Sequence, residues 1–282
     1  MTVPKSNRLG PTTATPASCY NRTVGTSIIA IGDELLSGFT LDTNSHWMSE
    51  QLRRLGFQVK RRSTVRDRNQ DVAEQVLRDL EDPEVEMVFC SGGLGPTPDD
   101  RTLEAIALAL GRELVELPEV TAKIERRVAQ LVESGIVHKA QVMEGNRRMA
   151  FVPAGAEHVF QNNHGMAPGL CYRLEGGLLF ILPGVPPELK GIFSEEIEPL
   201  YLGGRAGDTV RELRFRGAVE ARFYPIMREL EATHADVSVG SYPNSETREL
   251  TIRASGADPE RVAAAMEIVR TRIAAMGVTP LE

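Results

Sequence analysis

The densest concentration of groups able to do chemistry is one run, Ser91-Gly92-Gly93-Leu94-Gly95-Pro96-Thr97-Pro98-Asp99-Asp100. Glycines at 92, 93 and 95 let backbone amides come close to an anion. A helix opening at Thr102 would add the positive partial charge of its N-terminus. No Gly-Lys-Ser/Thr follows, so the run is not a P-loop, and its spacing is not GxGxxG. Two readings stand side by side: a phosphate cradle, or a capped turn in which Thr97 and Asp100 have capping-box spacing. The adjacent Asp99 and Asp100 add weight to the first. Two carboxylates at an anion loop repel phosphate unless a divalent cation bridges them.

Further carboxylates occupy comparable positions. Gly32-Asp33-Glu34 follows an apolar run, Asp42-Thr43-Asn44-Ser45 precedes an amphipathic stretch, and Asp67 follows a segment ending at Val65. Each alone suits a helix cap at least as well as a ligand. Asp33, Asp42, Asp67 and Asp100 gathered on one sheet edge would offer oxygen ligands to a hard cation, the usual partner of phosphoryl chemistry. Leu182-Pro183-Gly184-Val185-Pro186-Pro187-Glu188 is either a stiff strand-to-helix connector, with Pro187 at the first helical position, or a rigid pocket wall. Asn162-Asn163-His164-Gly165-Met166-Ala167-Pro168-Gly169 either hydrogen-bonds a base or sugar or forms turns. The histidines, His46, His138, His158, His164 and His234, have no metal-ligand spacing, no GxSxG elbow is present, and Cys90 reads as core.

These turns need elements to hold them. Residues 27–31 and 87–90 are strand-length apolar runs. A helix over 43–55 carries Trp47, Met48, Leu52 and Leu55, capped by Asn44 or Ser45 and ended by Gly56. Further helical faces are Val72, Val76, Leu77 and Leu80; Leu103, Ile106, Ala107 and Leu110, stopped by Gly111; and Val120, Ile124, Val128 and Leu131. Residues 171–174 and 178–182 flank Glu175-Gly176-Gly177 as a hairpin. Strands separated by helices predict an α/β fold, a three-layer, mainly parallel sheet covered on both faces. Beyond a Gly-rich linker over 202–208, the order becomes strand 210–215, helix 219–230, strands 237–241 and 248–254, and helix 259–276, a small α+β unit. The expected organisation is a disordered tail over 1–23, a nucleotide domain over 24–201, the linker, and the α+β domain over 209–282.

Composition bounds the partners. The 282 residues carry 32 Lys+Arg against 39 Asp+Glu, a net charge of −7, which argues against a nucleic-acid protein with a broad basic face. Cys19, Cys90 and Cys171 form no CxxC, so reduced thiols in a cytoplasmic setting are expected. No apolar stretch suits a signal peptide or a membrane span.

The motifs at 31–38, 42–45, 91–102, 162–169 and 182–188, taken in order, resemble the N-terminal region of the CinA-like competence/damage-inducible family, a branch of the molybdopterin-binding MoaB/MogA/MoeA-like fold. The resemblance runs from about Thr26 to the C-terminus, and the region after the linker is similar to the family's KH-like domain. No GxxG loop with basic surroundings lies between Val210 and Ser255, so RNA binding is not expected. The resemblance implies a metal-dependent nucleotide pyrophosphatase that hydrolyses ADP-ribose to AMP and ribose 5-phosphate. A molybdopterin-handling adenylyl transferase and a non-catalytic nucleotide-binding protein are the alternatives. It further implies catalytic and metal roles for Asp42, Asp67 and Asp100 with Mg²⁺, Mn²⁺ or Co²⁺. Substrate contacts are implied for Asp33, Asn44, Gly92, Gly93, Gly95, Pro96, Thr97, Asn162, Gly165, Pro183 and Gly184. A homo-oligomer, dimer or trimer, is implied as well. The family's deamidase domain has no counterpart before Glu282, so nicotinamide mononucleotide deamidation is not expected. Two departures, Arg66 where the family commonly has glycine and Met166 where it commonly has threonine, bear on substrate preference.

Overall fold

A computed structural model describes residues 25–135 and 143–281; the expected tail over 1–23, Cys19 and His138 lie outside the described residues. In chain order the elements are β1 (Gly25–Ile31), α1 (Asp33–Leu36), α2 (Thr43–Arg54), β2 (Gln58–Val65), α3 (Asn69–Leu80), β3 (Met87–Ser91), α4 (Thr102–Leu110), β4 (Leu114–Glu116) and α5 (Pro118–Glu133). There follow α6 (Glu144–Arg148), β5 (Phe151–Pro153), β6 (His158–Phe160), β7 (Gly169–Leu174), β8 (Gly177–Leu182) and α7 (Pro186–Ile192). Helix α7 runs on through a π-helical turn, Phe193–Ile197, into α8 (Glu198–Tyr201).

Six strands form one sheet in the order β2-β1-β3-β8-β7-β6. The first four are parallel, and β7 and β6 add antiparallel strands at one side. Period-two alternation sends successive side chains to opposite faces. Ile29, Ile31, Val88, Cys90, Leu179 and Ile181 pack with Val72 and Val76 of α3, Ile106 of α4 and Ile124 of α5. Ile28, Met87, Phe89, Phe180 and Leu182 pack with Met48 and Leu52 of α2 and Leu189 and Ile192 of α7. The sheet is therefore buried on both faces, and Phe89 stacks on Phe180 with ring centroids 4.6 Å apart. Gly56 (φ +80°) and Gly111 (φ +61°) end α2 and α4 in the left-handed conformation that glycine adopts without a Cβ penalty.

Where the structure departs from the sequence pattern, the cause is a competing polar group. Leu77 of α3 is 38% exposed, whereas Asp79 has no exposed surface. Its carboxylate accepts hydrogen bonds from Ser27 Oγ (2.5 Å), Arg61 Nη1 (2.5 Å) and Gln75 Nε2 (3.0 Å), which tie α3 to β1 and β2. The cap of α2 is neither Asn44 nor Ser45 but Asp42, whose Oδ1 accepts from Ser45 N at 2.9 Å. Leu202, read as the first residue of a linker, is fully buried in the second core. Strands β4, β5 and β6 are each three residues long and left no period-two signature in the sequence.

Beyond residue 208 lie β9 (Thr209–Arg216), a 3₁₀ turn at Glu220–Phe223, α9 (Tyr224–Thr233), β10 (Ser238–Asn244), β11 (Glu249–Gly256) and α10 (Pro259–Ala274). The strands form an antiparallel sheet in the order β10-β11-β9 with its own core, including Phe215, Phe223, Leu230, Ile252, Val262 and Ile273. No helix among the described residues is long and apolar enough to cross a membrane.

The consequence for function lies in the parallel set. The carboxyl ends of β2, β1, β3 and β8 share one edge, and strand order reverses there: β2 flanks β1 on one side and β3 on the other. Open α/β sheets bind ligands in the crevice at such a reversal.

Removing Asp79 would strand the buried Ser27 hydroxyl without its acceptor. Asp79→Ala is expected to lower unfolding free energy by about 2–3 kcal/mol in urea titration. Asp82→Ala, which removes the outer partner of Arg61 and an exposed acceptor for Glu84 N, should cost less than half of that. Equal effects of the two changes would show that burial of Asp79 is not what matters.

Candidate functional site

The turns that follow β1, β2, β3 and β8 surround a cavity of about 510 Å³. Asp42, Asn44, Asp67, Gly92, Gly93, Gly95, Pro96, Asp100, Pro183 and Gly184 all line it. Asp33, Thr97, Asn162 and Gly165 stand behind the lining.

The glycine loop is built around backbone crowding. Gly92 (φ +110°) and Gly93 (φ +66°) occupy left-handed conformations. A Cβ on Gly92 would lie 2.2 Å from Ile31 O, and one on Gly93 2.2 Å from Thr102 Oγ1. Gly92 N donates to Leu182 O (3.1 Å), Thr102 N to Gly93 O (3.1 Å) and Thr102 Oγ1 to Gly92 O (2.8 Å). The amides of Gly93, Leu94 and Gly95 take no acceptor among the described residues. Three free amides beside the N-terminus of α4 are donors of the kind that suit an anion. The far end of the loop is a capped turn, since Asp100 Oδ2 accepts from Thr97 N (2.9 Å) and Thr97 Oγ1 (2.5 Å). Arg148 clamps this turn from α6, donating to Thr97 O (2.8 Å) and Asp100 O (3.1 Å) while pairing with Glu104. Unpartnered amides and a capped turn are both present in one loop.

Asp67 is half-buried, and its Oδ2 accepts from Asp33 N at 2.8 Å. Burial raises its pKa above the ordinary aspartate value, and the negative charges of Glu34, Asp33 and Asp99 push the same way against the Asp33 amide. Asp42 keeps Oδ2 about 4.0 Å from Arg62 while Oδ1 caps α2. Asn44 Nδ2 spans the cleft floor, donating to Gly184 O (2.7 Å) and Ser91 Oγ (3.3 Å), and its Oδ1 is buried with no partner among the described residues. Asn162 is fully buried. Its Nδ2 donates to Ala167 O (2.8 Å) and Glu188 Oε2 (2.5 Å), and its Oδ1 accepts from His164 N (3.0 Å). It does not line the cavity itself and meets it through Ala167 and Glu188, which do.

The lining carries six carboxylates, Glu34, Asp42, Asp67, Asp99, Asp100 and Glu188, and no Lys, Arg or His. Among the described residues no group of three His, Cys, Asp or Glu side chains is arranged to hold a metal ion unaided. The oxygen donors nevertheless fit a hard cation of the Mg²⁺ type, which is commonly bound by one or two carboxylates, water and substrate phosphates.

Residues 27–202 match the family described as the probable molybdopterin binding domain. The chain belongs to this family. A protein of Pyrococcus abyssi is 33% identical over 247 residues, 87% of this chain and 95% of its own length. A putative competence-damage inducible protein of Symbiobacterium thermophilum is 35% identical over 240 residues, and this chain spans 53% of its length. Among solved structures, the protein CinA of Thermoplasma acidophilum superposes with a TM-score of 0.55 at 31% identity, covering 64% of this chain and 98% of that one. The CinA-like resemblance of the motifs therefore stands.

In this molybdopterin-binding-family chain, several residues of the site escaped the sequence pattern. Glu34 and Glu188 lay inside recognised motifs without a role of their own. Lys123 had a signal, a charged residue on the apolar stripe of α5, three positions after Val120 and one before Ile124. Arg148 had none, because its partners lie about fifty residues away. Of the two departures, Met166 lines the cavity, whereas Arg66 is exposed and outside the lining.

Asp67 gives a stability test. Its folded pKa lies above the unfolded value, so ionisation disfavours folding once pH exceeds the unfolded pKa, and the penalty vanishes at lower pH. Asp67→Asn is expected to unfold at higher urea than the parent at pH 7, with the gain shrinking as pH falls toward 3. A variant less stable at pH 7 would contradict this.

Proposed function

We propose that the cavity binds a nucleotide diphosphate sugar and hydrolyses its phosphoanhydride with the aid of a divalent cation, ADP-ribose giving AMP and ribose 5-phosphate. One observation carries the reading: three free loop amides lie beside a cleft whose charged lining is wholly carboxylate. A diphosphate suits the amides, yet the carboxylates repel it unless a cation stands between.

The amides of Gly93, Leu94 and Gly95 and the N-terminus of α4 hold the diphosphate. Pro96 and Thr97, fixed by Asp100 and Arg148, keep the loop in shape. Asp42, Asp67 and Asp100 would hold Mg²⁺, Mn²⁺ or Co²⁺. When bound, such an ion neutralises charge on the phosphate oxygens. The same carboxylates orient the attacking water. Its oxygen bonds to one phosphorus, the bridging P–O bond breaks, and the proton passes to a carboxylate. Whichever of these carboxylates is not engaged by the ion is placed to accept it.

Incubating the protein with ADP-ribose and each metal should yield AMP and ribose 5-phosphate. EDTA should abolish the reaction reversibly, and Asp67→Asn should reduce kcat/KM by about 10²-fold or more. No AMP with any metal would overturn the hydrolase reading. The family description favours a second reading, adenylyl transfer to a pterin phosphate, and assaying ATP with a pterin phosphate alongside separates the two. Tight ADP-ribose binding without turnover would instead identify a nucleotide-binding protein.

A further inference from the structure

The six carboxylates of the cavity are not equivalent. Along the sheet edge the order is β2 with Asp67, β1 with Asp33 and Glu34, β3 with the glycine loop, and β8 leading to Glu188. The ends of β2 and β8 are three strand spacings apart, about 14 Å, with the loop amides between them. At the Asp67 end the charges bearing most on the carboxylate, Glu34, Asp33 and Asp99, are all negative.

At the other end the surroundings of Glu188 are built to hold one carboxylate still. Glu188 sits in the first turn of α7, and its Oε2 accepts from the fully buried Asn162 Nδ2 at 2.5 Å. Both amide hydrogens and the carbonyl of Asn162 are spent on this contact, Ala167 O and His164 N, so the amide cannot rotate without losing partners. A Cβ on Gly165 would lie 2.0 Å from the Glu188 carboxyl carbon, so any side chain there would expel it. The half-buried Lys123 ammonium donates to Asn162 O. Glu188 and Glu196 are the charges that counter the burial of Lys123. Glu188 thus has a fixed orientation and an ammonium nearby, held on Asn162 O and not directly ion-paired with it, unlike Asp67.

A carboxylate with an ammonium nearby attracts a further cation less strongly than one among like charges, and it repels phosphate. It accepts hydrogen bonds from neutral donors. We propose that Glu188 is a specificity-determining residue that accepts hydrogen bonds from a ribose cis-diol of the ligand, with Asn162, Gly165 and Lys123 as its positioning residues. This rests on reading the cleft as a site for a nucleotide diphosphate sugar. It gives Asn162 and Gly165 an indirect part in recognition, behind the carboxylate.

Binding, measured apart from turnover, tests the proposal. ADP-ribose, ADP (no terminal ribose) and the analogue of ADP-ribose lacking the adenosine 2′- and 3′-hydroxyls are titrated calorimetrically into the full chain, with metal and with EDTA. One of the last two probes should bind the parent protein at least tenfold more weakly than ADP-ribose, which identifies the diol. In Glu188→Gln the Asn162 amide takes the single carbonyl oxygen and leaves an NH₂ toward the cavity. That variant should lose at least tenfold affinity for ADP-ribose while binding the identified diol-less probe as the parent does. Asn162→Ala and Lys123→Met should show the same selective loss, and Lys123→Arg should restore it. Unchanged ADP-ribose affinity in Glu188→Gln, an equal loss for all three probes, or no binding of any probe to the parent would overturn the proposal. Absence of AMP with binding retained would overturn the hydrolase reading alone.

Discussion

The ends of β1, β3 and β8 meet at the α-carbon of Gly92, where no side chain fits. Ile31 O closes one side, and Gly184, whose own Cβ would lie 3.2 Å from that carbon, approaches the other. The Gly92 amide is anchored to Leu182 O and its carbonyl to Thr102 Oγ1. This backbone-to-backbone packing draws three strand ends together so that their following turns share one cavity. It also accounts for the free amides just beyond Gly92: the loop leaves the sheet sharply, in left-handed conformations, and carries them past the strand carbonyls, while the carbonyls of α4 point along the helix away from them. An alanine at position 92 would have to separate β1 from β3, so the cradle and the sheet edge depend on the same atom's absence.

The second constraint is charge. A crevice lined by six carboxylates is an unfavourable way to finish a sheet, and the raised pKa of Asp67 records part of that strain. At Asp67 stability alone would favour an amide, as functional sites often trade stability for chemistry. The molecule relieves like charge differently at each end. Around Glu188 the relief is internal, through Lys123 and Asn162. Around Asp67 the strongest charges are of the same sign, so the complementary charge has to arrive with the ligand. On the function proposed above, a cleft so divided would orient an asymmetric ligand, with the cation on one side, the anhydride at the amides and neutral donors at the far wall.

Much of this was legible in the sequence because period and punctuation agree with tertiary need. The apolar runs of β1, β3 and β8, the hairpin at Glu175-Gly176, and the stops at Gly56 and Gly111 all appear where the pattern places them. The second unit follows its expected β-α-β-β-α order. What escaped was set by long-range partners. Asp79 is buried because Ser27 and Arg61 are waiting for it, and nothing within α3 announces that. Strands of three residues are too short to show a period. Asn162 read as a ligand group because an amide in a glycine-rich loop resembles one; only the placement of Ala167, His164 and Glu188 around it reveals that its hydrogen bonds are spent inside.

The contest between cap and ligand, which the sequence left open at Asp42 and in the glycine loop, dissolves once two oxygens per carboxylate are counted. Asp42 uses Oδ1 to cap α2 and turns Oδ2 elsewhere. Asp100 commits Oδ2 to Thr97, and Asp67 commits Oδ2 to the Asp33 amide. In each case one oxygen is pinned by a backbone or hydroxyl donor, local at Asp42 and Asp100 and 34 residues away at Asp67, and the other takes no hydrogen bond from the turn. Pinning removes rotamer freedom that a ligand would otherwise have to freeze. A helix cap at Asp42, a turn at Asp100 and a contact between strand ends at Asp67 thus preorganise the three carboxylates by different means, each compatible with a second oxygen free for another partner.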